Sequence, residues 1–193
     1  MKGGLLLVLI LAFSFCLYTQ EGGQDMSPEE EAWMSYMQPG AEHAMLAKMV
    51  GEWKVETKMW MDPMGEPEFS EGKSVNEMIL GGRYLLQTHS GAITMGMPME
   101  GVGIDAYDNV KKKYISLWMD NFGTGVAYAE GEWDEEAGGI VCWGTMTDPM
   151  TGSDLEYKMV ITHHDEDHSQ MDMYMVMGDE EIKSMEMHYK RVK

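Results

Sequence analysis

Two sets of residues in this sequence have the types and spacing for binding chemistry. Asn76, Glu77, Arg83, Gln87 and His89 are polar or charged side chains on neighbouring predicted strands. Arg83, Gln87 and His89 share parity, so the pattern projects them from one strand face. On an interior face they would need partners, because an unpaired buried charge is costly, and Glu77 or Asp105 could pair with Arg83. Such a buried polar set would orient the polar end of a ligand. On the outer face the same residues would be an ordinary wetted strand. Asp105, Tyr107, Trp118 and Asp120 form the second set at even strand spacing. Tyrosine and tryptophan supply flat apolar walls with one polar handle each, although the same pattern also serves plain barrel packing.

Two further groups could hold a metal. His163-His164-Asp165-Glu166-Asp167-His168 is the densest run of imidazoles and carboxylates, a donor set suited to zinc, copper or nickel. It falls on a predicted hairpin tip, which would hold ligands loosely, so a solvated turn competes with a site. Methionine, present 23 times, recurs in alternation: Met59-x-Met61, Met95-x-Met97-x-Met99, Met171-x-Met173-x-Met175-x-Met177 and Met185-x-Met187. Period two puts each group on a single sheet face. Thioethers select soft ions such as Cu(I), but methionine is also the adaptable filler of apolar cores. Nothing in the sequence resembles a nucleophile elbow, a phosphate loop or a zinc-protease helix, so it offers no catalytic residue and singles out no enzyme. It names no cofactor either.

The elements that must position these residues are read from period and punctuation. Ser27-Pro28-Glu29-Glu30 is a helix start with a capping box, and Trp33, Met34 and Met37 fall on one side of the helix it opens. Pro39-Gly40 ends that helix, and a second is expected over 41–50, with Met45, Leu46 and Met49 as its stripe. After Gly51 the period becomes two. Strands are expected at about 52–61, 70–80, 83–93, 99–107, 113–120, 123–133, 139–146, 153–162, 169–177 and 181–191. Gly81-Gly82, Asp108-Asn109, Asp148 to Gly152 and Gly178-Asp179 supply turn chemistry between them. No long helix interrupts the run, which excludes parallel βαβ units. About ten antiparallel strands must bury one face and hide two edges. An up-and-down β-barrel does both, and does so better than a two-sheet sandwich. A barrel of this size has room for one small ligand.

The chain ends and the charge bound the setting. Met1-Lys2, the apolar run Leu5–Phe15 and the polar residues after Cys16 are laid out as a signal peptide over 1–16, followed by a linker over 17–26 and the domain over 27–193. The apolar run is shorter than a membrane span requires. The expected setting is therefore periplasmic or extracellular, with no stable membrane insertion once the signal is removed. Cys142 would then be the sole cysteine, so no internal disulfide could form. A net charge of -19 repels phosphate backbones and argues against nucleic-acid binding. The oligomeric state is not readable.

Gly51-Glu52-Trp53, opening the first strand after short helical turns, resembles the Gly-x-Trp start of lipocalins and other calycins. In those barrels the tryptophan plugs one end and a late basic residue lies over it, a structural role that the resemblance gives to Trp53 and Arg191. More extensive similarity comes from Glu29 to Met37, Met59-Trp60-Met61-Asp62, Asn76-Glu77-Met78-Ile79-Leu80-Gly81-Gly82-Arg83 and Gly101-Val102-Gly103. It continues in Tyr107-Asp108-Asn109, Trp118-Met119-Asp120-Asn121 and Asp148-Pro149-Met150-Thr151-Gly152. Together these blocks resemble the bacterial domain-of-unknown-function family 1579 from about residue 27 to the C-terminus. That resemblance implies a calycin-like barrel and no established activity. Some small ten-stranded barrels hold haem through a late histidine, which by analogy of fold alone draws attention to His188.

These readings lead to an exported barrel that binds a small apolar or amphipathic molecule in its interior. Tyrosine, tryptophan and methionine would line the cavity, with the groups around Arg83 and Asp105 orienting the ligand. The alternatives are soft-metal binding through the methionine ladders, an enzyme with an unrecognised mechanism, and a packed module with no ligand.

Overall fold

The computed structural model describes residues 26–193 with the exception of residue 95. The expected signal peptide, most of the linker and the first methionine of the Met95-x-Met97-x-Met99 ladder lie outside the described residues. Among the described residues no helix is long and apolar enough to cross a membrane.

Helix α1 (Pro28–Met37) begins where its capping box predicts. The Glu30 backbone N–H donates to Ser27 Oγ (3.2 Å), and the Ser27 N–H donates to Glu30 Oε2 (2.8 Å). None of its residues is buried, and Trp33, Met34 and Met37 are exposed. The helix is tethered by its end: Arg83 Nη2 donates to Met37 O (2.5 Å), and Asn109 Nδ2 donates to Gln38 O (2.7 Å). Helix α2 (Ala41–Leu46) is shorter than the predicted 41–50, because its last turn tightens into a 3-10 turn over Ala47–Met49. Leu46 and Met49 are buried and close that end of the sheet.

Ten strands follow: β1 (Gly51–Met59), β2 (Glu68–Ile79), β3 (Tyr84–Thr94), β4 (Met97–Asp108), β5 (Lys113–Asp120), β6 (Ala127–Asp134), β7 (Gly139–Thr147), β8 (Asp154–His163), β9 (His168–Met177) and β10 (Glu180–Arg191). Each pairs antiparallel with the next, and β1 pairs with β10 as well as β2, so the sheet is a closed up-and-down barrel with no free edge. The β6 strand starts at Ala127 rather than the predicted 123, since Asn121–Val126 forms the connection.

Alternation decides what faces inward. Trp53 and Val55 of β1, Ser74 and Asn76 of β2, Leu85 and His89 of β3, and Ile140 and Cys142 of β7 are buried. So are Tyr157 and Met159 of β8, and Met187 and Tyr189 of β10. Trp53 is the plug at the helical end. Its indole N–H donates to Met49 O (2.8 Å), and the guanidinium carbon of Arg191 sits 4.1 Å from its ring centre. The Arg191 guanidinium also donates to Lys48 O (2.6 Å), Val50 O (2.5 Å) and Glu166 O (2.9 Å), tying the helical turn and the β8–β9 hairpin to the barrel end.

Candidate functional site

Across β2, β3, β4 and β5, in the half of the barrel next to the helices, a layer of polar side chains faces inward. Ser74 Oγ donates to Asn76 Oδ1 (2.5 Å), and Asn76 Nδ2 donates to Met49 O (2.9 Å). With its proton committed to Asn76, Ser74 Oγ accepts from His89 Nε2 at 3.2 Å. The His89 ring is wedged edge-on between Trp118 (5.1 Å between ring centres) and Tyr189 (6.0 Å). Burial pushes its imidazole down to about 4, so it is neutral at physiological pH. Ser74 is fully buried and its hydroxyl is already a donor, so the Ser74–His89 contact orients a ring and does not activate a nucleophile.

Beside that trio lies Asp105. Its Oδ2 accepts from Gln87 Nε2 (2.5 Å), and Ser116 stands opposite it on β5. Burial pushes the Asp105 carboxyl up to about 6, against the lowering by Ser116 and Gln87. Among the described residues no cation pairs with it. Trp118 fits beside this layer because β4 presents Gly101 and Gly103. A Cβ at Gly101 would overlap the indole ring.

Two of the sequence-predicted residues do not belong here. Arg83 lies in the β2–β3 turn, where Gly81 and Gly82 adopt positive φ, and its guanidinium donates to Leu80 O and Met37 O at the surface. It pairs with neither Glu77 nor Asp105. Glu77 is exposed, because it neighbours the inward Asn76 and alternate residues point to opposite faces. Two others stand apart from the layer. Asp120 accepts from Trp118 Nε1 (2.8 Å) and from the Phe122 N–H (2.9 Å), which makes it a turn anchor at the far end. Tyr107 sits at the helical end against Tyr114 and His43. The structure therefore brings together Asn76, Gln87, His89, Asp105 and Trp118. It adds Ser74, Ser116 and Tyr189, whose parity with these neighbours was the available signal.

The end opposite the helices is lined by sulfur. Met59, Met99, Met146, Met173, Met175 and Met185 share the inward parity of their strands and are half-buried. In the strand register Met59, Met185, Met173 and Met159 lie side by side on β1, β10, β9 and β8, and the row continues to Cys142 on β7. Met61, Met97 and Met177 are instead exposed beyond or at the strand ends.

The acidic-histidine hairpin is satisfied internally. His168 Nδ1 contacts Asp165 (2.9 Å), His163 Nδ1 contacts Ser169 Oγ (2.8 Å), and Asp167 pairs with Lys193 (2.7 Å). Among the described residues no group of three or more His, Cys, Asp or Glu side chains could hold a metal ion. His188 has the outward parity of β10 and contacts Glu186 (2.8 Å), so it faces away from the interior that haem would occupy.

Comparison with known proteins places the chain. The profile of the family described as Protein of unknown function (DUF1579) matches residues 38–191, and the chain belongs to that family. No curated protein matches it. The crystal structure of Rv2717c from M. tuberculosis has the same fold, with a TM-score of 0.58 at 14% identity over 81% of this chain and 100% of that one. A redesigned beta barrel aligns at a TM-score of 0.40 and 13% identity, over 77% of this chain and 95% of that one.

Proposed function

We propose that this DUF1579 barrel is a carrier or sensor for one small apolar or amphipathic molecule, held in the methionine-lined half of its interior. The carrying observation is the pairing of two kinds of side chain. Half-buried thioethers of inward parity (Met59, Met146, Met173, Met175, Met185) share the barrel interior with the inward polar side chains of Gln87, His89 and Asp105. Methionine is flexible and polarisable, so such a wall adapts to an apolar body of irregular shape. The indole of Trp118 adds a flat face. Asp105, whose carboxyl burial raises to about 6, and neutral His89 are the polar groups that would meet one polar end of the ligand. This is the usual division of labour in a ligand site, with many apolar contacts and few polar ones. The N-terminal layout supports an exported protein, which suits a carrier.

The test is binding of an environment-sensitive apolar dye to the full barrel. The unmodified protein should bind it saturably, and Met173→Glu should abolish binding by placing a charge in the wall. Equal dye binding by both proteins would contradict the reading.

A second reading rests on the single row Met59–Met185–Met173–Met159. Directly opposed side chains on neighbouring strands have Cβ atoms about 5 Å apart, which lets thioethers converge on a soft monovalent ion. Saturable Ag(I) binding at one equivalent, lost in Met173→Leu while dye binding survives, would favour it.

A further inference from the structure

We propose a second, separate binding site at the helical end of the barrel, for a small organic cation with a methylated ammonium group. The site is a cleft of about 350 Å³ between α2 and the rim of β4, β5 and β6, at the small end of the range for ligand sites. Three aromatic rings line it: Tyr107, Tyr114 and Trp133. Tyr107 and Tyr114 meet at 4.9 Å between ring centres with their planes 62° apart, so they form two walls of a corner rather than a closed stack. His43 braces Tyr107 edge-on at 6.0 Å. Tyr114 is buried and its hydroxyl donates to Met45 Sδ (3.5 Å), so its ring backs the cleft rather than standing open in it. Trp133 is 40% exposed near the C-terminal end of β6.

Ring faces are electronegative, and a cage of them attracts cations whose methyl groups make dehydration cheap. The charges at the rim favour the same occupant. Glu42 and Glu132 both line the cleft. Burial first, and then these two carboxylates, hold the Tyr107 phenol above its ordinary range, so their field reaches the rings. Glu132 is engaged by Lys113, whereas Glu42 takes part in no ion pair among the described residues. An anionic ligand would have to approach a chain of net charge -19. One feature opposes the cation. Lys112 also lines the cleft, and among the described residues its ammonium neither forms an ion pair nor sits over a ring. A movable like charge at the rim lowers affinity without blocking the cage, and this gives the proposal a variant that must gain.

The experiment titrates tetramethylammonium chloride into the full chain at constant ionic strength and follows the Trp133 indole N–H by NMR, assigned through its loss in Trp133→Phe. Tert-butanol, the neutral isostere, and sodium chloride are the controls. The expected result is a saturable shift with tetramethylammonium alone. Trp133→Ala should weaken it by about tenfold or more, measured on the remaining cleft resonances, because an aromatic wall is lost. Glu42→Gln should also weaken it, and Lys112→Gln should tighten it. Trp133 and Lys112 are exposed, so neither variant threatens the fold. Equal binding of tert-butanol would reduce the cleft to an apolar crevice and overturn the proposal. An equal response to sodium would mean diffuse charge attraction, and unchanged affinity in Trp133→Ala would remove the cage; either result also overturns it. None of these outcomes depends on the methionine-lined half of the barrel.

Discussion

Gln87 Nε2 donates to Asp105 Oδ2 at 2.5 Å inside a barrel where Asp105 has no cationic partner among the described residues. A buried carboxylate held only by neutral donors is under strain when ionised and at ease when protonated. Its carboxyl therefore titrates near 6, well above 3.8. Because the folded-state value is raised, the stabilising effect of its proton is complete below about 4 and is lost as pH rises through 6.

The isosteric Asp105→Asn should therefore be more stable than the unmodified protein at pH 8, by about 3 kcal/mol, and close to it at pH 4. Urea denaturation at the two pH values measures the difference. A variant equally or less stable at both would mean that Asp105 is not ionised against a cost.

His89 has the opposite sign. Burial lowers its imidazole to about 4, so the stability tied to the neutral ring is fully present above 6.5 and is lost as pH falls through 4. NMR of the His89 ring should show a single neutral tautomer, protonated at Nε2, down to about pH 5. Protonation near 6.5 would show that the ring is not enclosed by Trp118 and Tyr189.

Much of the fold was legible because its signals are local. The shift to period two after Gly51, the Asp and Gly punctuation and the Ser27 capping box each act over a few residues, and all produced elements close to where they were expected. The site was half legible. Gln87 and His89 share parity and do face inward together, but Arg83 falls one residue before β3 begins, where the Gly81-Gly82 turn has already swung the chain outward. Parity holds only inside a strand, and single-residue boundaries are weakly encoded. The methionine wall was legible as separate ladders. That Met59, Met185, Met173 and Met159 form one row depends on strand register, and on a bulge in β10 between Lys183 and Met185. No short stretch of sequence carries that information.

Arg191 lies over the Trp53 ring and donates to three backbone carbonyls. Arg191→Met keeps some apolar cover but removes every donor. It should lower stability by about 2 kcal/mol, read from a shift in the denaturation midpoint. Arg191→Lys should recover only part of the loss, because a single ammonium cannot serve three carbonyls and the ring together.

Cys142 is buried, and burial pushes its thiol up to about 12. A thiol at that value carries almost no thiolate at neutral pH. Iodoacetamide should leave Cys142 unlabelled for hours in the folded protein and label it fully in urea. Rapid labelling of the folded chain would indicate an open interior at that depth.

The central claim is that the barrel interior shared by the methionines and Asp105 holds a small organic molecule. Native mass spectrometry of the protein isolated from its own source tests this most directly. The account predicts a reproducible adduct of a few hundred daltons that is lost on denaturation and is absent from Met173→Glu isolated in the same way. A bare mass, or an adduct retained by Met173→Glu, would contradict it.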